Sequence, residues 1–289
     1  MSLVDLVATQ LLHGLVYGML LFLIAAGLAL IFGMLRILNM AHAAVYMLGA
    51  YLCATVVEAT GSFWLALLAI PPALGLAGAV IERTMLRRVA KFGHAYELLL
   101  TFGLFYMAIE ATLFLWGTAP LQAPAPAALQ GSIALLGGKY PVYRLFIFGF
   151  AALIAAVLLA VLRLTRTGIV IRAAVSDPAM LEALGIDVER VRAWVFGVGT
   201  ALAAAAGVIA APFIQADPSM AGLALLDAFA VVVIGGFGSV FGALVAALLI
   251  GELQSVSILV APDWAGVVEF LLMAAVLVFR PRGLFGEAQ

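Results

Sequence analysis

Between Arg144 and Arg163 run 18 consecutive residues, 145–162, without a single charge. At ~1.5 Å rise per residue a helix of that length reaches ~27 Å, close to the ~30 Å hydrocarbon core of a bilayer. Comparable uncharged stretches occupy 6–35, 37–57, 59–81, 193–216 and 228–251, with only His13 and His42 able to carry a proton in them. Helices satisfy their own backbone groups in lipid, and these runs lack the two-residue alternation of barrel strands. With 66% hydrophobic and 10% charged residues, too little polar surface is left to cover a soluble core. The chain is therefore expected to be all-α, a polytopic transmembrane bundle forming one domain over 1–289.

Glycine, proline and charge clusters divide it into about nine apolar segments: 6–34, 40–57, 63–82, 96–117, 142–163, 193–213, 224–238, 241–260 and 265–280. Met1 to Asp5 lack Lys and Arg, so the first segment reads as an uncleaved span. The seventh is short, and broken or re-entrant elements are expected near 224–245. With the N-terminus outside, Arg36, Arg83, Arg87, Arg88, Lys91, Arg163, Arg166, Arg172, Arg190, Arg192, Arg280 and Arg282 all fall on the cytosolic side. Only Lys139 and Arg144 remain outside, so 12 of 14 cations lie on one face. That asymmetry predicts a cytosolic C-terminus. An outer loop at 118–141, with Pro120, Pro124, Pro126 and the Gly137-Gly138 pair, and an inner segment at about 164–191 are the long connections.

Several chemistries are excluded or weakened. No phosphate loop exists, since neither lysine, Lys91 or Lys139, follows the required glycine pattern, so the chain alone is not expected to hydrolyse ATP. Gly235-Gly236-Phe237-Gly238 with Gly242 lacks the preceding soluble strand and the ribose-holding acid of a dinucleotide loop. A tight bend or close packing is the expected use of those glycines, and Gly14/Gly18 and Gly238/Gly242 predict close helix contacts. Three scattered histidines and one cysteine, Cys53, give neither a metal-ligand spacing nor a disulfide. No catalytic residue, cofactor or metal is expected, and no basic run suggests nucleic acid.

Ionisable groups inside spans are costly and tend to face the bundle interior or water. Glu110, Asp227, Glu252 and Glu269 are the acids, none with an evident Lys or Arg partner. Glu269 and His13 are expected near an interface, and Glu110 at a helix contact. Asp227 and Glu252 flank the glycine bend at Gly235, Gly236 and Gly238, so a pathway or gate there stands against the plainer reading of interfacial charges. Asn39 and His42, three apart, would share a helix face. Capping of the second span by Asn39 is the plain alternative to contact with a solute.

The inner segment contains a complete short helix signature. Asp177 suits an N-cap, Pro178 the first turn, and Gly185 the left-handed residue after the last turn. Met180, Leu181 and Leu184 form an apolar stripe, with Glu182 between them. So short a helix is unstable alone and must dock, on the protein itself or on a partner.

The motifs resemble those of permeases from bacterial branched-chain amino-acid ABC importers, in the shorter, H-type form of the Liv systems. The first block is Gly27-Leu28-Ala29-Leu30-Ile31-Phe32-Gly33-Met34-Leu35-Arg36-Ile37-Leu38-Asn39-Met40-Ala41-His42, continuing through Tyr46-Met47-Leu48-Gly49-Ala50-Tyr51. The second runs from Arg166-Thr167-Gly168 through Arg172-Ala173-Ala174 and Asp177 to Glu182-Ala183-Leu184-Gly185-Ile186-Asp187. The third is 231–240 and the fourth Phe279-Arg280-Pro281-Arg282-Gly283-Leu284-Phe285-Gly286. One departure is Ala43, where the family commonly has Gly. The resemblance implies a permease subunit of the inner membrane, passing branched-chain or other small hydrophobic amino acids. Its implied partners are a second homologous permease as homo- or heterodimer, two cytosolic ATP-binding subunits and an extracytoplasmic substrate-binding protein. In that picture the helix after Ser176 couples to the ATPase. The same architecture serves urea and short amides, and an ion-coupled transporter using Asp227 or Glu252 is the reading from a different class.

Overall fold

The computed structural model describes residues 3–135 and 138–286. Gly137, one of the loop glycine pair, and Met1 and Ser2 of the N-terminal run lie outside the described residues. Helix α1 (Leu3–Leu35) leads through an extended link into α2 (Ala41–Thr60) and α3 (Phe63–Ile81). Pro71 and Pro72 lie inside α3, which passes through a π-helical turn, Glu82–Leu86, into the one-turn α4 (Arg87–Val89). Then come α5 (His94–Trp116), α6 (Val142–Leu164), α7 (Arg166–Ser176), α8 (Pro178–Ala183) and α9 (Val188–Ala210). The chain continues through α10 (Met220–Gly235), α11 (Val240–Val260) and α12 (Val268–Phe279).

Seven helices among the described residues are long and apolar enough to cross a membrane, and α10 and α12 are shorter apolar helices. The break expected near 224–245 is a turn between two unbroken helices. Gly236 (φ 101°) and Gly238 (φ 80°) take left-handed backbone, and the Ser239 hydroxyl accepts from the Gly242 amide at 3.0 Å to start α11. One element was not legible: an antiparallel hairpin of β1 (Ser132–Leu135) and β2 (Gly138–Pro141), which pairs Ile133 with Tyr140 and Ala134 with Lys139.

Helices α1 and α9 form the centre, with most of their length buried, whereas α3, α5 and α6 leave most of theirs open. α11 lies along α1, while α2 and α3 lie along α9. Small residues set these distances. A methyl group built on Gly18 would meet the Ala247 carbonyl oxygen of α11 at 2.7 Å, as the Gly14/Gly18 spacing predicts. The other pair works differently: Gly238 lies in the turn against Gly33, and Gly242 lies against Gly235. Apolar association has no hydrophobic drive within lipid, so such close backbone contact is a principal source of cohesion there.

Contacts between distant segments sort the helix ends into two sets. Leu121 in the outer loop bridges to Ala216 between α9 and α10, and Gln10 near the start of α1 bonds Ser255 near the end of α11. At the opposite end Gly33 meets Gly238, and the Arg163 guanidinium stacks 5.2 Å from the Phe241 ring. Each contact joins ends that the outside-N-terminus threading assigns to the same side.

Candidate functional site

The inner connection between α6 and α9 is built from local capping. Thr165 starts α7 by accepting from the Gly168 amide at 3.3 Å. Gly168 lies hard against the Val161 and Leu162 carbonyls, where any side chain would collide, and Arg172 reaches back to the Leu162 carbonyl. Asp177 caps α8 by accepting from the Met180 amide at 2.9 Å, with Pro178 in the first turn. Gly185 takes φ 81°, and the Ile186 amide donates to the Leu181 carbonyl at 3.2 Å, the closing bond of a left-handed helix stop. Asp187 then caps α9 through the Arg190 amide at 3.0 Å.

The apolar stripe on α8 divides. Leu181 is 5% exposed and belongs to the protein's own core, while Met180 is 57% and Leu184 67% exposed. Asp177, Pro178, Glu182 and Gly185 share the open side. A short capped helix is thus pinned by one leucine and presents two large apolar side chains outward. Just beyond it, Arg87 holds α9 to the end of α3. Its guanidinium pairs with the Glu189 carboxylate at 2.6 Å, donates to the Glu189 carbonyl at 3.0 Å, and lies 3.6 Å from buried Glu82. Sequence spacing gave no sign of the Arg87–Glu189 pair, whose members stand 102 residues apart.

Asn39 and His42 do not share a helix face. Asn39 precedes α2, Met40 occupies the cap position, and no side chain caps that helix, so the expected Asn39 cap is absent. Arg36, with φ 57°, closes α1 instead and bends the chain away from helical continuation. His42 is 1% exposed and donates from Nε2 to the Ile24 carbonyl at 2.9 Å. Asn39 Oδ1 and His42 Nδ1 are buried without a partner. His42 fastens α2 to α1, with Gly27 pressed between His42 and Gly199 of α9.

The glycine bend receives the C-terminal tail. Leu284 donates its amide to the Ile234 carbonyl at 2.8 Å and Phe285 to the Gly235 carbonyl at 3.0 Å. These bonds satisfy carbonyls that the end of α10 leaves open. The third and fourth sequence blocks are therefore two halves of one seal. Asp227 lies about two helical turns before the bend, where Tyr17 donates to its carboxylate at 3.3 Å and the Glu269 carboxyl faces it. Glu269, in the first turn of α12, is 5% exposed, its side chain turned into the protein. Glu252 packs against Gly14, and its Oε2 is buried without a partner. Glu110 lies exposed on α5. The structure thus joins Asp227 to Tyr17 and Glu269, while Glu252, on α11, packs against Gly14 of α1. Tyr17 and Glu269 carried no signal beyond being polar groups in apolar runs.

Toward the outer ends a cavity of about 570 Å³ opens between α1, α6, α11 and the segment leading into α12. Gln10, His13, Tyr17, Arg144, Gln254 and Ser255 supply its polar lining.

Comparison with known proteins decides what kind of molecule this bundle is. The family described as branched-chain amino acid transport system / permease component matches residues 10–277. The chain belongs to that family. Among relatives of the permease, the high-affinity branched-chain amino acid transport system permease protein LivH of Escherichia coli is 28% identical, covering 97% of this chain and 96% of its own. The BraD permease protein of the corresponding Pseudomonas aeruginosa system is 28% identical, at the same coverage. A probable LivH of Methanocaldococcus jannaschii is 26% identical over 98% of the chain and 94% of its own. No solved structure matches. The protein is a multi-pass permease component of an ABC transport system, set in the cell's inner membrane.

Proposed function

We propose that this permease passes branched-chain or other small hydrophobic amino acids into the cell, driven by ATP hydrolysed in partner subunits. Two such permeases, as a homo- or heterodimer, flank the route, two cytosolic ATP-binding subunits drive it, and an extracytoplasmic substrate-binding protein delivers the solute. The observation that carries this reading is α8. A helix capped by Asp177, stopped at Gly185 and anchored by Leu181 leaves Met180 and Leu184 open on the cation-rich side. Two large apolar side chains held rigidly in water suit insertion into a groove on an ATPase. Movement of that subunit would pass through α8 and the Arg87 clamp to α9 and α3, shifting the bundle between outward- and inward-open populations.

The double variant Met180→Asp with Leu184→Asp keeps the Leu181 anchor and tests the contact. Expected results are loss of ATPase copurification and a fall of at least tenfold in ATP-dependent leucine uptake in reconstituted vesicles. Unchanged copurification would remove the coupling assignment. Uptake that follows a proton gradient with no ATPase present would replace the ATP-driven reading altogether.

A further inference from the structure

The outer cavity contains a cation with no acid beside it. Arg144, in the first turn of α6, is half-buried, and among the described residues it has no ion-pair partner. What surrounds it holds it in place without neutralising it. Its Nη1 lies 2.5 Å from His13 Nδ1, which accepts from it, and its guanidinium carbon sits 5.0 Å from the Phe213 ring centre. His13 is itself oriented by β2: its ring stacks on Tyr140 at 5.1 Å with planes 24° apart, and the Tyr140 hydroxyl lies 3.2 Å from Nδ1. The hairpin therefore serves to place a histidine that aims an arginine.

The rest of the cavity wall is sorted by polarity. Gln10 and Ser255 tie α1 to α11, Gln10 Nε2 donating to the Ser255 carbonyl at 2.7 Å and Ser255 Oγ to the Gln10 carbonyl at 2.6 Å. Val16, Phe213 and Ile258 give an apolar wall, and Tyr17, in contact with Asp227, lies one turn inward from His13. A half-buried guanidinium with free donors favours a bidentate carboxylate, and a cavity of this size accepts a small solute. Apolar wall, unpaired cation and inward acids together match an amphipathic zwitterion held carboxylate-outward.

We propose that this cavity is a receiving site for the solute after its release outside, with Arg144 binding the α-carboxylate and His13 and Tyr140 as positioning residues. The proposal rests on the import of amino acids argued above and deepens it by naming the group recognised. It is tested on the full transport complex in lipid nanodiscs, with Cys53 replaced by Ala and Gln254→Cys as a reporter in the cavity. The rate of maleimide labelling is followed with millimolar leucine or with leucinamide, which lacks the carboxylate. Leucine is expected to slow labelling at least fivefold and leucinamide less than twofold. Arg144→Gln should abolish the leucine effect, and Arg144→Lys should retain part of it. Equal protection by both compounds, protection that survives Arg144→Gln, or no protection by leucine would each overturn the site. ATP-driven leucine uptake by the parent complex is measured in parallel, so that its absence counts against the import reading and not against the cavity.

Discussion

Single atoms decide how closely the central helices approach. At Gly27 an added methyl would collide with the Gly199 carbonyl oxygen and come within 2.7 Å of His42 Cε1. Neither neighbour can yield, because one is backbone and the other is held by its bond to Ile24. Gly27→Ala is therefore expected to cost about 1–3 kcal/mol, as overpacking does. Gly103 on α5 faces open space, and Gly103→Ala should stay within about 0.5 kcal/mol of the parent. Thermal unfolding of the two variants in detergent checks the contrast, and equal midpoints would show that α1 and α9 have slack. The glycines were visible in the sequence as candidates for close contact, but not their partners. Gly14 and Gly18 share a helix and could be paired by spacing, whereas Gly238 belongs to a turn, where helical spacing has no meaning. Asn39 illustrates the same limit. Its residue type favours a cap, yet the left-handed Arg36 sends the chain into an extended link that puts Met40 at the cap position.

At the level of elements, helix existence was legible because lipid imposes length and apolarity on every span. Helix ends followed the predicted segments to within a few residues for most spans, and the caps at Asp177 and Asp187 fell where short-range chemistry demands them. What remained hidden were contacts across long separations. The hairpin that carries Tyr140 lay in a stretch without strand patterning, and the Arg87 clamp joins three elements by charges that sequence alone leaves unpaired. That clamp has a consequence for coupling. Glu189 lies in the first turn of α9, directly after the α8 stop, so under the proposed coupling role of α8 Arg87 would carry its movement to α3. Arg87→Ala should leave ATPase copurification intact, since Met180 and Leu184 are untouched, while lowering solute moved per ATP hydrolysed by about threefold or more. Parallel assays of uptake and phosphate release measure that ratio, and an unchanged ratio would make the clamp a purely static brace.

For the whole molecule, the arrangement of cations and the sorting of helix ends are independent observations that agree. The cation count comes from composition alone, with 12 of 14 basic residues assigned to one side. The end-to-end contacts come from packing, in which no membrane and no charge rule takes part. If both report the same asymmetry, the loop before β1 faces outward and the turn between α4 and α5 faces the cytosol. With the single native cysteine removed as Cys53→Ala, one new cysteine at a time can read each side. Gln130 and Lys91 are both exposed, so labelling at either reports sidedness and not burial. A membrane-impermeant maleimide applied to spheroplasts, whose inner membrane is intact and outer layer removed, should label Gln130→Cys. Lys91→Cys should react only after the inner membrane is permeabilised. The reverse pattern would place α8 outside, beyond the reach of any cytosolic ATPase, and with it the coupling contact, the Arg87 linkage and the outward-facing Arg144 cavity would all lose their physical basis.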